Sequence, residues 1–175
     1  MAQSYCHYAL NEPEDSVHKR YHDTEYGFPL TDDNQLFARL VLEINQAGLS
    51  WTTILKKVAN FHAAYHGFDI ATVANYSETD RQRLMADAGI VRNRLKINAA
   101  IVNAQRLLVL QQDYGSFNLW LDNYRTLTKE QWIKLFKKTF LFTGGEIVNE
   151  FLISTAYLSG AHQETCPIYT KIIRL

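Results

Sequence analysis

The spacing of apolar residues constrains this chain more than any other feature. In almost every segment, apolar positions recur three or four residues apart and do not alternate with polar ones. Such spacing places apolar side chains on one face of an α-helix, whereas alternation is typical of a half-buried strand. We therefore predict an all-α fold. Because 175 residues, 47% of them hydrophobic, can bury one full core, we expect residues 1–175 to form a single domain.

Short polar residues and glycines mark the ends of the predicted helices. Polar side chains cap helix N-termini by accepting backbone hydrogen bonds, and we expect such caps at Thr31 or Asp32, Ser50, Ser77, Ser116 and Thr128. Two of them have the spacing of a capping box, with Asp80 and Gln131 three residues later. Glycine favours the conformation that ends a helix, and we expect stops at Gly48, Gly67 and Gly89. We also expect a long helix over about residues 92–110 and a last one over residues 146–158.

The overall charge gives little support for nucleic-acid binding. The 18 basic and 18 acidic residues leave a net charge of zero, whereas nucleic-acid binders often carry a basic excess. The two halves differ, however, because residues 1–90 carry a charge of −5 and residues 91–175 a charge of +5. A basic face can therefore coexist with overall neutrality.

The sequence contains no apolar run that suggests a membrane partner. No segment approaches the roughly 20 consecutive apolar residues of a membrane helix, and the N-terminus lacks the apolar run of a signal peptide. We therefore expect a cytoplasmic protein.

Cysteines and histidines near the two ends of the chain form a candidate metal site. Cys6 and His22 lie near the start, and His162 and Cys166 lie four residues apart near the end. Zinc binds two thiolates and two imidazoles tetrahedrally, and a site closed by four protein ligands is structural. Such a site would tie the two termini together.

Other histidines leave the ligand set open. His7 and His18 compete as ligands, since both also lie near Cys6 in the sequence. His62 and His66 are spaced by one helical turn, but such a pair more often lies on a solvated helix face. The alternative to any metal site is two unrelated buried thiols among surface histidines.

Glu43 is an acidic residue on an apolar helix face. It follows Leu40 by three residues and Leu36 by seven, which places it on the same stripe. A carboxylate buried there must be paired, hydrogen-bonded, neutralised or held for function. A position at the edge of the stripe, or a pair with an Arg or Lys of another helix, is the structural alternative.

Aromatic residues are dense around Glu43 in the sequence. Tyr21, Tyr26, Phe28 and Trp51 flank it, in a chain with 13% aromatic residues. Aromatic walls and a carboxylate floor suit a flat, electron-poor base, through stacking, cation–π attraction and hydrogen bonding. Each ring taken alone is equally compatible with simple core packing.

Residues 84–97 predict two helices joined through a glycine turn. Gly89 lies in the turn, and the basic residues Arg92, Arg94 and Lys96 follow it. Backbone N–H groups at a helix start, together with basic side chains, can hold phosphates without reading sequence, as in a helix-hairpin-helix. An ordinary helical hairpin with a solvated basic rim is the alternative.

Four segments, taken together and in order, resemble the 3-methyladenine DNA glycosylase I family. They are YHDTEYG at residues 21–27, LEINQAGLSW at 42–51, the hairpin at 88–97 and HQETC at 162–166. The QAGLSW run and the terminal Cys/His set are specific to that family, whereas the hairpin also occurs in other DNA-repair folds.

The resemblance implies a helix-hairpin-helix DNA glycosylase fold, with a structural zinc on Cys6, His22, His162 and Cys166. It further implies that Glu43 contacts a flipped base, that Trp51 stacks on this base and that Tyr21 and Tyr26 line the pocket. The implied reaction is monofunctional hydrolysis of the N-glycosidic bond, which releases 3-methyladenine in base-excision repair. The implied partner is double-stranded DNA containing alkylated adenine, bound by a monomer.

The sequence departs from the family pattern beside the pocket. A tryptophan is usual at Tyr26, a glycine at Ile44, and Gly-Trp or a similar pair at His7-Tyr8. These departures motivate a second hypothesis, a catalytically weak relative that binds damaged DNA. A third hypothesis is a zinc-stapled helical scaffold that binds a protein or small molecule, in keeping with the neutral charge.

Overall fold

The computed structural model describes residues 4–172, and these residues form helices and loops without any strand. The all-α prediction is confirmed. There are twelve α-helices in this part of the chain: α1 (Tyr5–Leu10), α2 (Val17–Thr24), α3 (Asp33–Gln46), α4 (Trp51–Leu55), α5 (Val58–Ala64), α6 (Ile70–Ala74), α7 (Glu78–Ala86), α8 (Arg94–Tyr114), α9 (Phe117–Asn123), α10 (Lys129–Thr139), α11 (Gly145–Ser154) and α12 (Tyr169–Ile172). A short 3-10 turn, His66–Phe68, follows α5. None of the helices described here has the length and apolar character needed to cross a membrane.

The helix starts follow the predicted caps. The side chains of Asp32, Ser50 and Ser116 accept hydrogen bonds from backbone N–H groups in the first turns of α3, α4 and α9. Both predicted capping boxes, at the starts of α7 and α10, are also present. Each such cap stabilises its helix by roughly 1 kcal/mol, so local chemistry sets these boundaries.

Several boundaries differ from the prediction. The helix expected after Ser50 is interrupted between α4 and α5, where the Lys57 ammonium donates to the Ala88 and Gly89 carbonyls. The long helix α8 begins two residues late because the Asn93 side chain caps its first turn. The last predicted helix ends at Ser154, since Ala156 adopts a positive φ of 66° and the chain turns.

The main core forms around α3, whose side chains are buried over most of its length. Helices α4, α8, α9 and α11 pack against it, and α6 packs along α8. The second half of the chain contributes an aromatic cluster, made of Phe117, Trp120, Trp132, Phe136, Phe140 and Phe151. Each large apolar side chain contributes about 1.5–3 kcal/mol on burial, so this core provides a rigid wall behind the N-terminal helices.

A smaller apolar cluster joins the two ends of the described chain. Cys6 of α1 packs with Cys166 and Ile168, and Phe28 and Tyr169 cover them. The termini are therefore held together beside α2.

Candidate active site

A cavity of about 310 Å³ opens between α1, α2, α3, α4 and α11. Its volume lies at the lower end of the range for small-molecule sites, about 300–1,000 Å³. Aromatic rings form most of its wall, contributed by Tyr5, Tyr21, Tyr26 and Trp51. The other lining residues are polar, namely Glu43, Gln46 and Glu150. The structure thus brings Tyr21, Tyr26, Trp51 and Glu43 into one cavity, as the sequence suggested.

The aromatic walls are positioned by contacts with one another. The ring centroid of Tyr21 lies 5.3 Å from that of Trp51 and 5.7 Å from that of Tyr26. Tyr5 meets Tyr26 edge to face, with centroids 5.2 Å apart. Behind this wall, the Arg39 guanidinium donates to the Tyr21 hydroxyl at 2.8 Å. Such mutual edge contacts fix ring orientation, which a flat ligand needs for stacking.

His18 links three of the helices around the cavity. Its Nδ1 lies 3.2 Å from the Tyr5 hydroxyl and its Nε2 lies 2.7 Å from the Thr52 hydroxyl. Burial lowers the pKa of His18, which favours the neutral ring with one donor and one acceptor. His18 therefore supports the cavity wall and is not among the residues that gather around Cys6 and Cys166.

Glu43 is buried, with 5% of its surface exposed, and it lines the cavity. Within residues 4–172 its carboxylate has neither an ion pair nor a hydrogen bond, so the paired alternative considered from the sequence is not found there. Burial raises the pKa of Glu43 to about 8; the charge of nearby Arg39 opposes this rise and that of Glu150 adds to it. The carboxyl group is thus available to a ligand.

The structure also places residues in the cavity that the sequence reasoning missed. Glu150 projects from α11, where its carboxylate accepts hydrogen bonds from the Tyr26 hydroxyl at 3.5 Å and the Asn149 amide at 3.2 Å. Gln46 follows Glu43 by three residues on α3, so helical spacing could have identified it. Tyr5 carried no comparable signal. Phe28, expected near the cavity, instead packs on the apolar cluster of Cys6, Cys166 and Ile168.

Four buried side chains near the termini lie close together and form what we call the cysteine cluster: Cys6, His22, His162 and Cys166. Their ligand atoms all lie within 4.8 Å of one another, so the group could hold a metal ion. The Cys166 Sγ lies 3.5 Å from both His22 Nε2 and His162 Nδ1, and the Cys6 Sγ lies 3.6 Å from His162 Nδ1. The competing His7 is exposed and does not belong to this group.

The two imidazoles of this cluster are held from behind. His22 bonds through Nδ1 to the Asp23 carboxylate at 2.6 Å, and His162 bonds through Nε2 to the Tyr26 carbonyl at 2.7 Å. Such bonds fix the ring orientation and the nitrogen that faces a metal. Gly27 allows the segment of His162 to lie this close to the Tyr26 carbonyl. A Cβ at residue 27 would lie 2.5 Å from the Cβ of Ala161, and the φ of Gly27 is +77°.

The predicted hairpin is present as α7, a loop over residues 87–93 and α8. The Gly89 N–H donates to the Asp87 carboxylate at 2.7 Å, and a Cβ on Gly89 would lie 2.9 Å from that carboxylate oxygen. Arg92 and Arg94 are exposed, and Arg94 forms an ion pair with Glu78 at 3.4 Å. The loop therefore presents two basic side chains to solvent.

Lys96 has a different environment from its neighbours. It is 5% exposed, and its ammonium donates to the Asn45 and Ala47 carbonyls at the C-terminus of α3. A cation at this end of a helix satisfies carbonyls that lack intrahelical partners and complements the helix dipole. The position of Lys96 therefore favours a structural link between the hairpin and α3 over the phosphate contact expected from the sequence.

Known proteins resemble this chain in both sequence and structure. The family model for methyladenine glycosylases covers residues 11–140. DNA-3-methyladenine glycosylase 1 of Escherichia coli is 48% identical over 104 residues, which span 59% of this chain and 56% of that protein. The DNA-3-methyladenine glycosylase of Haemophilus influenzae is 31% identical over 90% of this chain and 95% of its own length.

Solved structures show the same likeness over nearly the whole chain. A 3-methyladenine DNA glycosylase I variant, in complex with 3-methyladenine, superposes with a TM-score of 0.85 at 33% identity, over 95% of this chain and 97% of that one. The enzyme from Staphylococcus aureus gives a TM-score of 0.82 at 34% identity, over 89% and 93%. Together with the family model and the two enzymes, these likenesses show that the chain belongs to the methyladenine glycosylase family.

Proposed function

We propose that this protein is a DNA-3-methyladenine glycosylase, which hydrolyses the N-glycosidic bond of 3-methyladenine in alkylated DNA during base-excision repair. The observation that carries the proposal is Glu43, a buried carboxyl group without a protein partner among the described residues, set in an aromatic cavity. Its relatives bear the same activity in their names. The site is suited to one flat, positively charged ligand.

The chemistry needs little from the protein beyond binding and orientation. Methylation at N3 makes adenine a cation, so its glycosidic bond is already weakened. The C1′–N9 bond breaks with its electron pair leaving on the base, and water adds to C1′ and loses a proton. The reaction is monofunctional in our proposal, in keeping with a cavity that no lysine of residues 4–172 lines.

Selectivity follows from the same cavity. Extruding a nucleotide from the duplex costs a few kcal/mol, least for a damaged base. In our proposal Trp51 stacks on the flipped base, Tyr21 and Tyr26 line its edges, and the Glu43 carboxylate faces its positive charge. A neutral adenine gains nothing from that charge and remains in the helix.

We assign DNA contact to the helix-hairpin-helix at residues 84–97, within a single domain over residues 1–175 that acts on double-stranded DNA as a monomer. Exposed Arg92 and Arg94 would hold phosphates without reading sequence. Gly89 would keep the loop compact, since the space beside it is filled. Buried Lys96 would hold the hairpin in register with α3.

The metal that we propose for the cysteine cluster is zinc, bound by Cys6, His22, His162 and Cys166. Bonds of about 2.3 Å to sulfur and about 2.0–2.1 Å to nitrogen imply sulfur–nitrogen separations of roughly 3.5–3.6 Å in a tetrahedron. The three sulfur–nitrogen separations in the structure, 3.5, 3.5 and 3.6 Å, fit this requirement. With four protein ligands, the ion would have a structural role.

The proposed activity is tested by the release of free 3-methyladenine from alkylated duplex DNA, with abasic sites counted in parallel. We expect wild type to release the base and to leave one abasic site for each base. Glu43→Gln should release it much more slowly while remaining folded. Wild type that binds the DNA but releases no base would contradict the proposal and indicate a DNA-binding relative.

A further inference from the structure

A second carboxylate lines the base cavity beside the one expected from the sequence. Glu43 comes from α3 and Glu150 from α11, and these two helices pack against each other. Glu150 is half-buried, and its Oε2 accepts the hydrogen bond from the Tyr26 hydroxyl. Two acidic groups therefore share a cavity of about 310 Å³.

None of the described residues that line the cavity carries a positive charge to balance these acids. Three of its lining residues are tyrosines, and burial raises the pKa of each hydroxyl, so all three are neutral at physiological pH. Arg39, whose charge acts on Glu43, lies behind Tyr21 and donates to that hydroxyl and to Glu25 and the Ser154 carbonyl. Like charges in a poorly solvated site repel, and a cationic ligand relieves that repulsion.

We propose that Glu150 is a specificity-determining residue, whose carboxylate gives the cavity a second acidic wall that favours a cationic alkylated purine over a neutral one. The inference rests on the proposed function, because it identifies how the same cavity selects its base. It also bears on the product, since bond cleavage turns the cationic base into a neutral one. The second charge then no longer holds the free base.

The proximity of Glu43 and Glu150 predicts that binding of a cationic base depends on pH. The groups that face Glu43 are Glu150, the tyrosines of the wall and Arg39 behind them. The pKa of Glu43 is raised to about 8, chiefly by burial and in part by the charge of Glu150, so the carboxyl group of the empty cavity holds a proton near neutral pH. A cationic base favours loss of that proton, and its binding should therefore strengthen as pH rises towards 8.

The test compares Glu150→Gln with Glu146→Gln. Both variants remove one negative charge from α11, but Glu146 is exposed and lies outside the cavity. Glutamine keeps the size of Glu150 and still accepts the Tyr26 hydrogen bond. Binding is measured by the change in tryptophan fluorescence that a ligand beside Trp51 causes, with two probes, the 3,9-dimethyladeninium cation and neutral 9-methyladenine. Base release is measured across pH in single turnovers.

We expect Glu150→Gln to lose roughly tenfold in affinity for the cation and little for the neutral probe. The midpoint of the rise in base release with pH should move to lower pH, because Glu43 loses a repelling neighbour. Glu146→Gln should change neither quantity. Unchanged affinity for the cation and an unchanged midpoint in Glu150→Gln would overturn the inference.

The outcomes also separate this inference from the proposed function. If wild type binds the cation but releases no base, the glycosylase proposal fails, and the two variants still decide the role of Glu150 by binding alone. If wild type releases the base but binds the cation no better than the neutral probe, the glycosylase proposal stands and the inference about Glu150 fails.

Discussion

Tyr26 contacts both the cavity and the cysteine cluster, yet the buried polar groups of the two sites differ in whether they have partners within the protein. In the cluster, each imidazole faces the sulfur atoms with one nitrogen and is held from behind through the other. In the cavity, the Glu43 carboxylate has no protein partner within residues 4–172. Groups that the protein satisfies on all sides maintain its shape, whereas a buried group left open is available to a ligand.

The largest effect is expected from removing one residue of the cysteine cluster. Cys166→Ala should lower Tm by roughly 10 °C or more and abolish zinc binding, because a structural site contributes several kcal/mol and each kcal/mol shifts Tm by about 2–4 °C at this size. Thermal unfolding with and without a chelator measures this effect. His7→Ala, which changes an exposed histidine near the cluster, is the control and should behave as wild type. Equal Tm and no bound metal in all samples would refute a structural metal.

The next effect concerns the cavity alone. Glu43→Gln should slow release of 3-methyladenine by about 100-fold, as expected when a preorganised charge is removed from a reacting site. Its Tm should equal or exceed that of wild type, since within residues 4–172 the carboxylate has no hydrogen bond or ion pair to lose. Single-turnover kinetics and thermal unfolding of one preparation give both values. A variant that loses stability and activity in parallel would mean that Glu43 is structural.

A smaller effect appears in the pH dependence of stability. The pKa of Glu43 rises from 4.5 to about 8 on folding, so between these values the folded state binds more protons than the unfolded state. The free energy of unfolding of wild type should therefore fall, relative to Glu43→Gln, as pH rises through this window, by up to about 1.4 kcal/mol per pH unit. Denaturant titrations at pH 5, 6, 7 and 8 measure the difference. Parallel curves for the two proteins would contradict a raised pKa.

The smallest effect lies on the hairpin. Arg92→Ala and Arg94→Ala should each weaken duplex binding a fewfold, whatever the sequence, and reduce the slope of log K against log salt concentration by about 1. Lys96→Met should leave that slope unchanged, because the Lys96 ammonium is bonded to α3. Binding titrations at several salt concentrations test all three variants. A reduced slope in Lys96→Met would restore Lys96 as a phosphate contact.

Sequence reasoning succeeded where the determining chemistry is local. Caps such as Ser50 and the box at Thr128 act within one helical turn, so their residues could be identified directly. The burial of Glu43 followed from its helical spacing. The cysteine cluster joins distant segments, and only the family resemblance chose His22 over His7 and His18.

The remaining features depend on contacts between distant segments. Nothing in the sequence around Lys96 distinguishes it from an exposed lysine. Its ammonium is buried because the C-terminus of α3 lies beside it and supplies the carbonyls that it binds. Glu150 reaches the cavity because α11 packs against α3, which no pattern within α11 reveals. The break between α4 and α5 coincides with a bond from Lys57 to the hairpin loop, again a tertiary contact.

Tyr26 also links the cysteine cluster and the cavity energetically. Its carbonyl accepts the bond from His162 while its hydroxyl donates to Glu150, so one residue touches both the cluster and the cavity. Substitutions at sites linked in this way are not additive. The change in the free energy of unfolding when His162 and Glu150 are substituted together should differ from the sum of the changes for the two single substitutions. Loss of the zinc proposed for the cluster would thus change base selection in molecules that are still folded.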